Sequence, residues 1–202
     1  MTISGITVRR AGAADAAALV RLRAVMLEDM GADVGDESAP WRAAAEAWFE
    51  RRLRDPGGFA AFVVDDPELG VVSCAAGTCD PHAPGPTNPS GLRGRVFNIC
   101  TDRRRRRLGL ARACLDALLG WYRTETEVET VDLNATPYGI DLYKSFGFDA
   151  PRYPALQLRL GSTLGHGFPG HQDGPAFTSN AGKARFCEQS GNLSAEAGKA
   201  PP

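Results

Sequence analysis

The feature that most restricts this chain is Arg106-Arg107-Leu108-Gly109-Leu110-Ala111, a fit to R-x-x-G-x-[G/A] that joins an extended apolar run to a helical one. Val96-Phe97-Asn98-Ile99-Cys100-Thr101 before it reads as the end of a strand over 93–101. Apolar residues at helical spacing after it predict a helix over 108–122. Such a junction suits an anion. The first helical turn leaves N–H groups without partners, and the helix dipole adds partial positive charge there. Gly109 and Ala111 are small enough to let a phosphate approach the backbone.

Two other readings fit the same residues. One is an ordinary helix start with a solvated basic turn. The other is a nucleic-acid patch, because Arg103 to Arg107 are five consecutive arginines. Composition argues against the second. Lys and Arg total 23 against 24 Asp and Glu, for a net charge of -1, and no aromatic residue interleaves with the arginines. A chain so balanced has no global pull toward nucleic acid or an anionic membrane.

The rest of the chain supplies a frame. The spacing predicts a strand over 6–9, helices over 13–30 and 41–54, and a hairpin from strands over 59–64 and 71–78. The strand over 93–101 and the helix over 108–122 come next. A strand over 128–134, a short helix over 138–146 and a last strand over 156–160 complete the order. With 43% hydrophobic residues this is an ordinary globular composition, and the order implies an α/β fold: a mixed sheet with helices on both faces. Beyond 160 the chain is rich in Gly, Ser, Ala and Pro, so 1–160 reads as one domain and 161–202 as a flexible tail. The five cysteines are irregularly spaced and the three histidines are scattered, so neither a disulfide framework nor a metal site is expected. The opening residues lack a signal-peptide apolar run, and no run is long enough to span a bilayer. These readings lead to a reducing, cytoplasmic setting. The Ala-, Arg- and Gly-rich composition points to a GC-rich bacterial source.

A second pattern, Leu142-Tyr143-Lys144-Ser145-Phe146-Gly147-Phe148, follows the strand at 128–134. Together with the first, it resembles the GNAT superfamily of acyl-coenzyme A-dependent N-acyltransferases, over about 1–160 and most sharply over 96–160. The resemblance implies a central mixed sheet with splayed middle strands and acetyl-CoA as co-substrate. It implies backbone pairing of Ile99 and Thr101 with the pantetheine arm. The diphosphate would lie at the amides of Arg107, Leu108, Gly109, Leu110 and Ala111, with Arg106 opening the motif and Asn134 on the facing strand. It makes Tyr143 a general acid for the departing thiolate. Arg103 stands where a proline is usual, and Thr136 and Gly139 where Asn and Ala are common, so the short helix's contacts stay open.

Other roles are less determined. Glu28 and Asp29, at the end of the first long helix, are candidates for a base or for acceptor contacts; Asp132 is another, and each could equally be a surface charge. Residues 28–37 hold five carboxylates and no Lys or Arg, which reads as an acidic rim drawing a cationic amine or as a solubilising loop. Trp48 and Phe49 are expected in the core; Trp41 lies nearer the loop and is a candidate to line a substrate pocket. Tyr143 could also simply pack. The implied reaction is acetyl transfer to a primary amine of a small molecule or peptide by direct attack, with Cys100 not required as a nucleophile. A non-catalytic acyl-CoA-binding module is the alternative. The expected partner is that amine, with no nucleic acid and no membrane; a homodimer stays open.

Overall fold

The computed structural model describes residues 2–160 apart from Ser4, Gly5, Pro56 and Arg159. Its elements are β1 (Thr2–Ile3), β2 (Ile6–Arg10), α1 (Ala16–Asp29), α2 (Pro40–Leu53), β3 (Phe59–Asp66), β4 (Gly70–Pro81), β5 (Leu92–Thr101), α3 (Leu110–Glu125), β6 (Thr130–Asp132) and α4 (Ile140–Lys144). The six strands form one sheet in sequence order. Every neighbouring pair is antiparallel except β5 and β6, which are parallel. A parallel pair needs a crossover, and α3 supplies it.

Alternation along β3 sorts the core into two layers. Phe59, Ala61 and Val63 face α1 and α2, with Leu19, Leu22 and Phe49. Ala60 and Val64 face α3, with Leu115 and Leu118. The strand's period of two therefore serves both faces of the sheet, as the α/β reading requires. The β3–β4 turn is held by Asp66, whose side chain accepts from the amides of Glu68 at 3.0 Å and Leu69 at 3.1 Å.

Tyr122 of α3 fixes the middle of the sheet. It is buried, and its hydroxyl donates to the carbonyls of Thr78 at 2.9 Å and Arg95 at 3.2 Å. The ring needs bare backbone beneath it. A Cβ on Gly77 would lie 2.3 Å from the Tyr122 hydroxyl, and one on Gly94 2.8 Å from the ring. Close to this pin, β5 pairs with β6 over only Arg93–Arg95 and Thr130–Asp132. Past that point β5 runs on to Thr101 beside β4 alone among the described residues, so β5 and β6 diverge as expected.

Several expectations change, among them the short helix over 138–146, which forms only as Ile140–Lys144. The helix expected from Leu108 begins at Leu110, because Arg107 (φ 64) and Gly109 (φ 76) are left-handed. The strand expected over 128–134 shortens to Thr130–Asp132, which leaves Asn134 exposed in the following loop. The strand expected over 156–160 does not form among its described residues, and Leu156 and Leu158 are exposed. Their alternation satisfies the strand period, but a strand also needs a partner edge, and no described residue of the segment pairs with one. The chain divides after Leu158. Residues 161–202, read from the sequence as a tail, lie outside the described residues. Among the described residues no helix is long and apolar enough to cross a membrane.

Candidate active site

The open end of β5 begins at a bulge. Cys74 pairs with Cys100 and Ala76 with Phe97, so Asn98 and Ile99 together face the single residue Ala75. Asn98 takes φ 51, which Asn tolerates better than most residues. The bulge resets the alternation: Phe97 and Cys100 face the α1/α2 layer, while Val96 and Ile99 face α3. Asn98 is buried and works as a clasp. Its amide donates to the Leu19 carbonyl at 3.3 Å, and its carbonyl oxygen accepts from Arg23 at 3.4 Å. Thr101, at the strand end, bonds Ser73 side chain to side chain at 2.8 Å.

The loop beyond Thr101 is organised by Asp102, a buried residue that sequence reasoning passed over. Its carboxylate accepts from the Arg104 amide at 3.0 Å, the Arg104 guanidinium at 3.0 and 2.9 Å, and Arg21 at 3.2 Å. Hydrogen bonding to Arg104 holds this carboxyl well below the usual carboxylate range. The available signal was an Asp directly before a short turn, where Asp caps. A 3-10 turn over Arg103–Arg105 follows. Gly109 then caps α3, and the first intrahelical bond runs from Ala113 N–H to Gly109 O at 3.0 Å. The amides of Leu110, Ala111 and Arg112 thus precede the helical ladder and are free of it. The space where a Gly109 side chain would go is open.

The five arginines are not five free charges. Arg103 bonds Glu28 and Asp29, each at 3.0 Å. Arg104 bonds Asp102 at 2.9 Å, and Arg105 bonds Asp66 at 2.6 Å and Glu68 at 3.1 Å. Arg106 bonds Asp29 and the Thr101 carbonyl, the latter at 3.1 Å. Arg107 alone of the run makes no ion pair among the described residues. Glu28 and Asp29 are therefore brought to the loop, as struts from the end of α1. Burial works to raise the Asp29 carboxyl, but hydrogen bonds from Arg103 and Arg106 outweigh it and leave it below the usual range. Asp132 is likewise paired, with Arg93 at 3.2 Å.

Tyr143 lies on α4, half-buried against the α3 layer, with its ring edge-on to Phe148 at 6.2 Å. Burial raises its phenol above the ordinary value of 10.0, and its hydroxyl bonds no described residue. Arg112, in the first turn of α3, donates to the Ser145 hydroxyl at 2.7 Å and lies over the Phe146 ring at 5.1 Å. The helix carrying Tyr143 is thus tied to the helix start at Gly109. Cys100 is pushed up to about 11 by burial, so its thiol keeps its proton near neutrality. Among the described residues no group of three or more His, Cys, Asp or Glu could hold a metal ion.

On the other face, Trp48 packs on the core and Trp41 on the loop side, as expected, but Trp48 is the one that borders a cavity. The Trp41 indole donates to the Val34 carbonyl at 2.8 Å and so fastens the loop before α2. Trp48 instead lines a cavity of about 270 Å³ with Arg23, Ala45, Phe49 and Phe97.

Residues 22–148 match the family model described as the Acetyltransferase (GNAT) family. No curated protein matches the sequence. Among solved structures, the chain is similar to a predicted acetyltransferase with acetyl-CoA from Clostridium acetobutylicum: identity 23%, coverage 77% of this chain and 96% of that one, TM-score 0.67. It is similar to a GCN5-related N-acetyltransferase from Ralstonia eutropha JMP134, at 21% identity, 76% and 99% coverage, and TM-score 0.63. It is also similar to a ribosomal-protein-alanine N-acetyltransferase from Brucella melitensis biovar Abortus 2308, at 19% identity, 78% and 100% coverage, and TM-score 0.53. At these identities the likeness is one of fold.

Proposed function

The chain belongs to the GNAT acetyltransferase family, and we propose that it moves an acetyl group from acetyl-CoA to a primary amine of a small molecule or peptide by direct attack. One observation carries this reading: β5 leaves β6 after Arg95, and its free end leads straight to the helix start at Gly109. The pantetheine arm would pair with the open edge of β5 at Ile99 and Thr101. The diphosphate would sit on the amides from Arg107 to Ala111, with Arg107 as the arginine of the run that has no carboxylate to give up. Asn134, in the exposed loop after β6, would face the cofactor from the far side.

The amine lone pair attacks the thioester carbonyl carbon, and a backbone N–H near Ile99 stabilises the oxyanion. As the tetrahedral intermediate collapses, the carbon–sulfur bond breaks and the pair stays on sulfur. Tyr143 gives its phenolic proton to that sulfur; the proton lost by the nitrogen passes to water. The phenol enters the step protonated, and burial, which raises it further, makes it the weaker acid until the thiolate forms beside it. Glu28 and Asp29, both salt-bridged, support the loop better than they would serve as a base.

The test is to mix the protein with acetyl-CoA and a panel of primary amines and follow free CoA thiol. Amine-dependent release is expected. Tight binding of acetyl-CoA with no release for any amine would replace transfer with the acyl-CoA-binding alternative.

A further inference from the structure

Arg21 and Arg23 lie two residues apart on α1 and differ in one respect. Arg21 bonds the Asp102 carboxylate at 3.2 Å and the Val71 carbonyl. Arg23 bonds no carboxylate among the described residues; its one polar contact there is the Asn98 side-chain oxygen, at a long 3.4 Å. It is half-buried, and burial lowers its proton affinity with no charged neighbour to offset this. A guanidinium does not deprotonate in proteins, so the cation stays, partly desolvated and without a carboxylate partner among the described residues.

Its surroundings form a pocket. Ala45, Trp48 and Phe49 recur at i, i+3 and i+4 on α2 and make one wall, and Phe97 of β5 makes the floor. The rings of Trp48 and Phe97 meet edge-on at 5.9 Å. The small side chain of Ala45 leaves the space open. Among the described residues, Arg23 is the one charged residue of the lining. Arg52, whose guanidinium lies 5.9 Å from the Trp48 ring, is committed to the Gly58 carbonyl at 2.7 Å and to Asp55 at 3.3 Å. Through Asn98, Arg23 also touches the bulge where β5 begins its open half.

We propose that this pocket holds the far end of the acceptor, and that the acceptor is an amine bearing a carboxylate on an apolar or aromatic body. The proposal rests on the acetyl-transfer reading. One guanidinium matches one carboxylate in charge and, by its planar fork, in shape. A phosphate dianion would need a second cation that the lining lacks. The aromatic walls take the apolar body. The lining holds no carboxylate, so nothing in it retains the amine, which is left toward Asn98 and the bulge.

The test compares phenylalanine with phenylalaninamide as acceptors, by release of CoA thiol, in the wild type, Arg23→Gln and Arg23→Lys. The amide has the less basic amine, so more of it is neutral near pH 7, a bias that works against the proposal. The wild type should still prefer the acid by about 10- to 100-fold in kcat/KM, the worth of a charged hydrogen-bonded contact. The preference should collapse to about unity in Arg23→Gln and survive in part in Arg23→Lys. A second arm, independent of turnover, follows quenching of tryptophan fluorescence by N-acetylphenylalanine and its carboxamide. Binding selective for the acid and lost in Arg23→Gln upholds the pocket even where no thiol is released; only the acetyl-transfer reading then falls. Equal binding of acid and amide by the wild type overturns the pocket whatever the catalytic result. So does a preference that persists in folded Arg23→Gln, as judged by an unchanged melting temperature.

Discussion

Arg93 to Arg95 of β5 pair with β4 on one side and β6 on the other, whereas beyond the bulge Cys100 and Thr101 pair, among the described residues, with β4 alone. The two halves are secured by different means. The closed half relies on two backbone ladders and on Tyr122, which fills the space over Gly77 and Gly94. The open half relies on side chains: Asn98 to Leu19, Ser73 to the Cys100 carbonyl at 3.0 Å, and Arg106 to the Thr101 carbonyl. Backbone groups along the free edge still need partners. An extended ligand can supply them where a strand would otherwise have done so. The regular half therefore sets position and the irregular half offers chemistry. A variant should disturb stability or function according to the half it touches.

The largest effect should come from the chemical step on the open side. Tyr143→Phe removes one oxygen and keeps the ring against Phe148, so the melting temperature and CoA affinity should barely move. Turnover should fall by about 10²–10⁴-fold, mostly in kcat, because the proton is needed only as the carbon–sulfur bond breaks. Steady-state kinetics on the amine found in the thiol assay measures this. Equal rates for Tyr and Phe would take Tyr143 out of the mechanism and leave the fold untouched.

Next is the end of the open half. Gly109→Glu places a negative charge where the diphosphate is expected, and calorimetry should show CoA binding weakened by about 100-fold or more, on the order of 3 kcal/mol. Gly109→Ala is the control, since it carries only the strain of a left-handed residue, about 1 kcal/mol. If Glu and Ala behave alike, charge at this loop is not what CoA senses.

The closed half should answer in the other way. Gly94→Ala pushes a Cβ to 2.8 Å from the Tyr122 ring. Overpacking of this kind costs about 1–3 kcal/mol, visible in denaturant unfolding. CoA affinity per folded molecule should be unchanged. A selective loss of CoA affinity without loss of stability would blur the division between the halves.

What could be read in advance follows the same division. The helix after Gly109 and both hairpin strands were legible because their apolar periods are long and local. The strand over 92–101 was legible as a strand, but not its bulge. Nothing in Phe97-Asn98-Ile99 shows which side each faces until α1 and α3 are in place; the readiness of Asn for positive φ was the one hint. The arginine run looked like free charge because most of its partners are remote in sequence, Asp102 excepted: Glu28 and Asp29 end α1, and Asp66 and Glu68 sit in the β3–β4 turn. Trp41 was the pocket candidate in place of Trp48 because helical spacing gives a face and not what the face meets. The 156–160 alternation suggested a strand by period alone, and period does not provide an edge.

The smallest effect expected is at the joint between the ordered strand and the loop. Asp102 is buried, and its depressed carboxyl binds Arg104 and Arg21. Asp102→Asn keeps an acceptor for the Arg104 amide but loses the charge, so about 1 kcal/mol of stability should go at pH 7, with CoA affinity falling a few-fold. The pH dependence separates this from simple packing loss. A carboxyl whose folded pKa is depressed contributes stability in full above its unfolded value, near 3.9, and loses it as pH falls through the lower folded value. The gap between wild type and Asp102→Asn should therefore be full at neutral pH and begin to narrow only below about pH 4. Paired urea melts across that range measure it. A gap independent of pH would mean that the shape of Asp102 orders the loop and its charge does not.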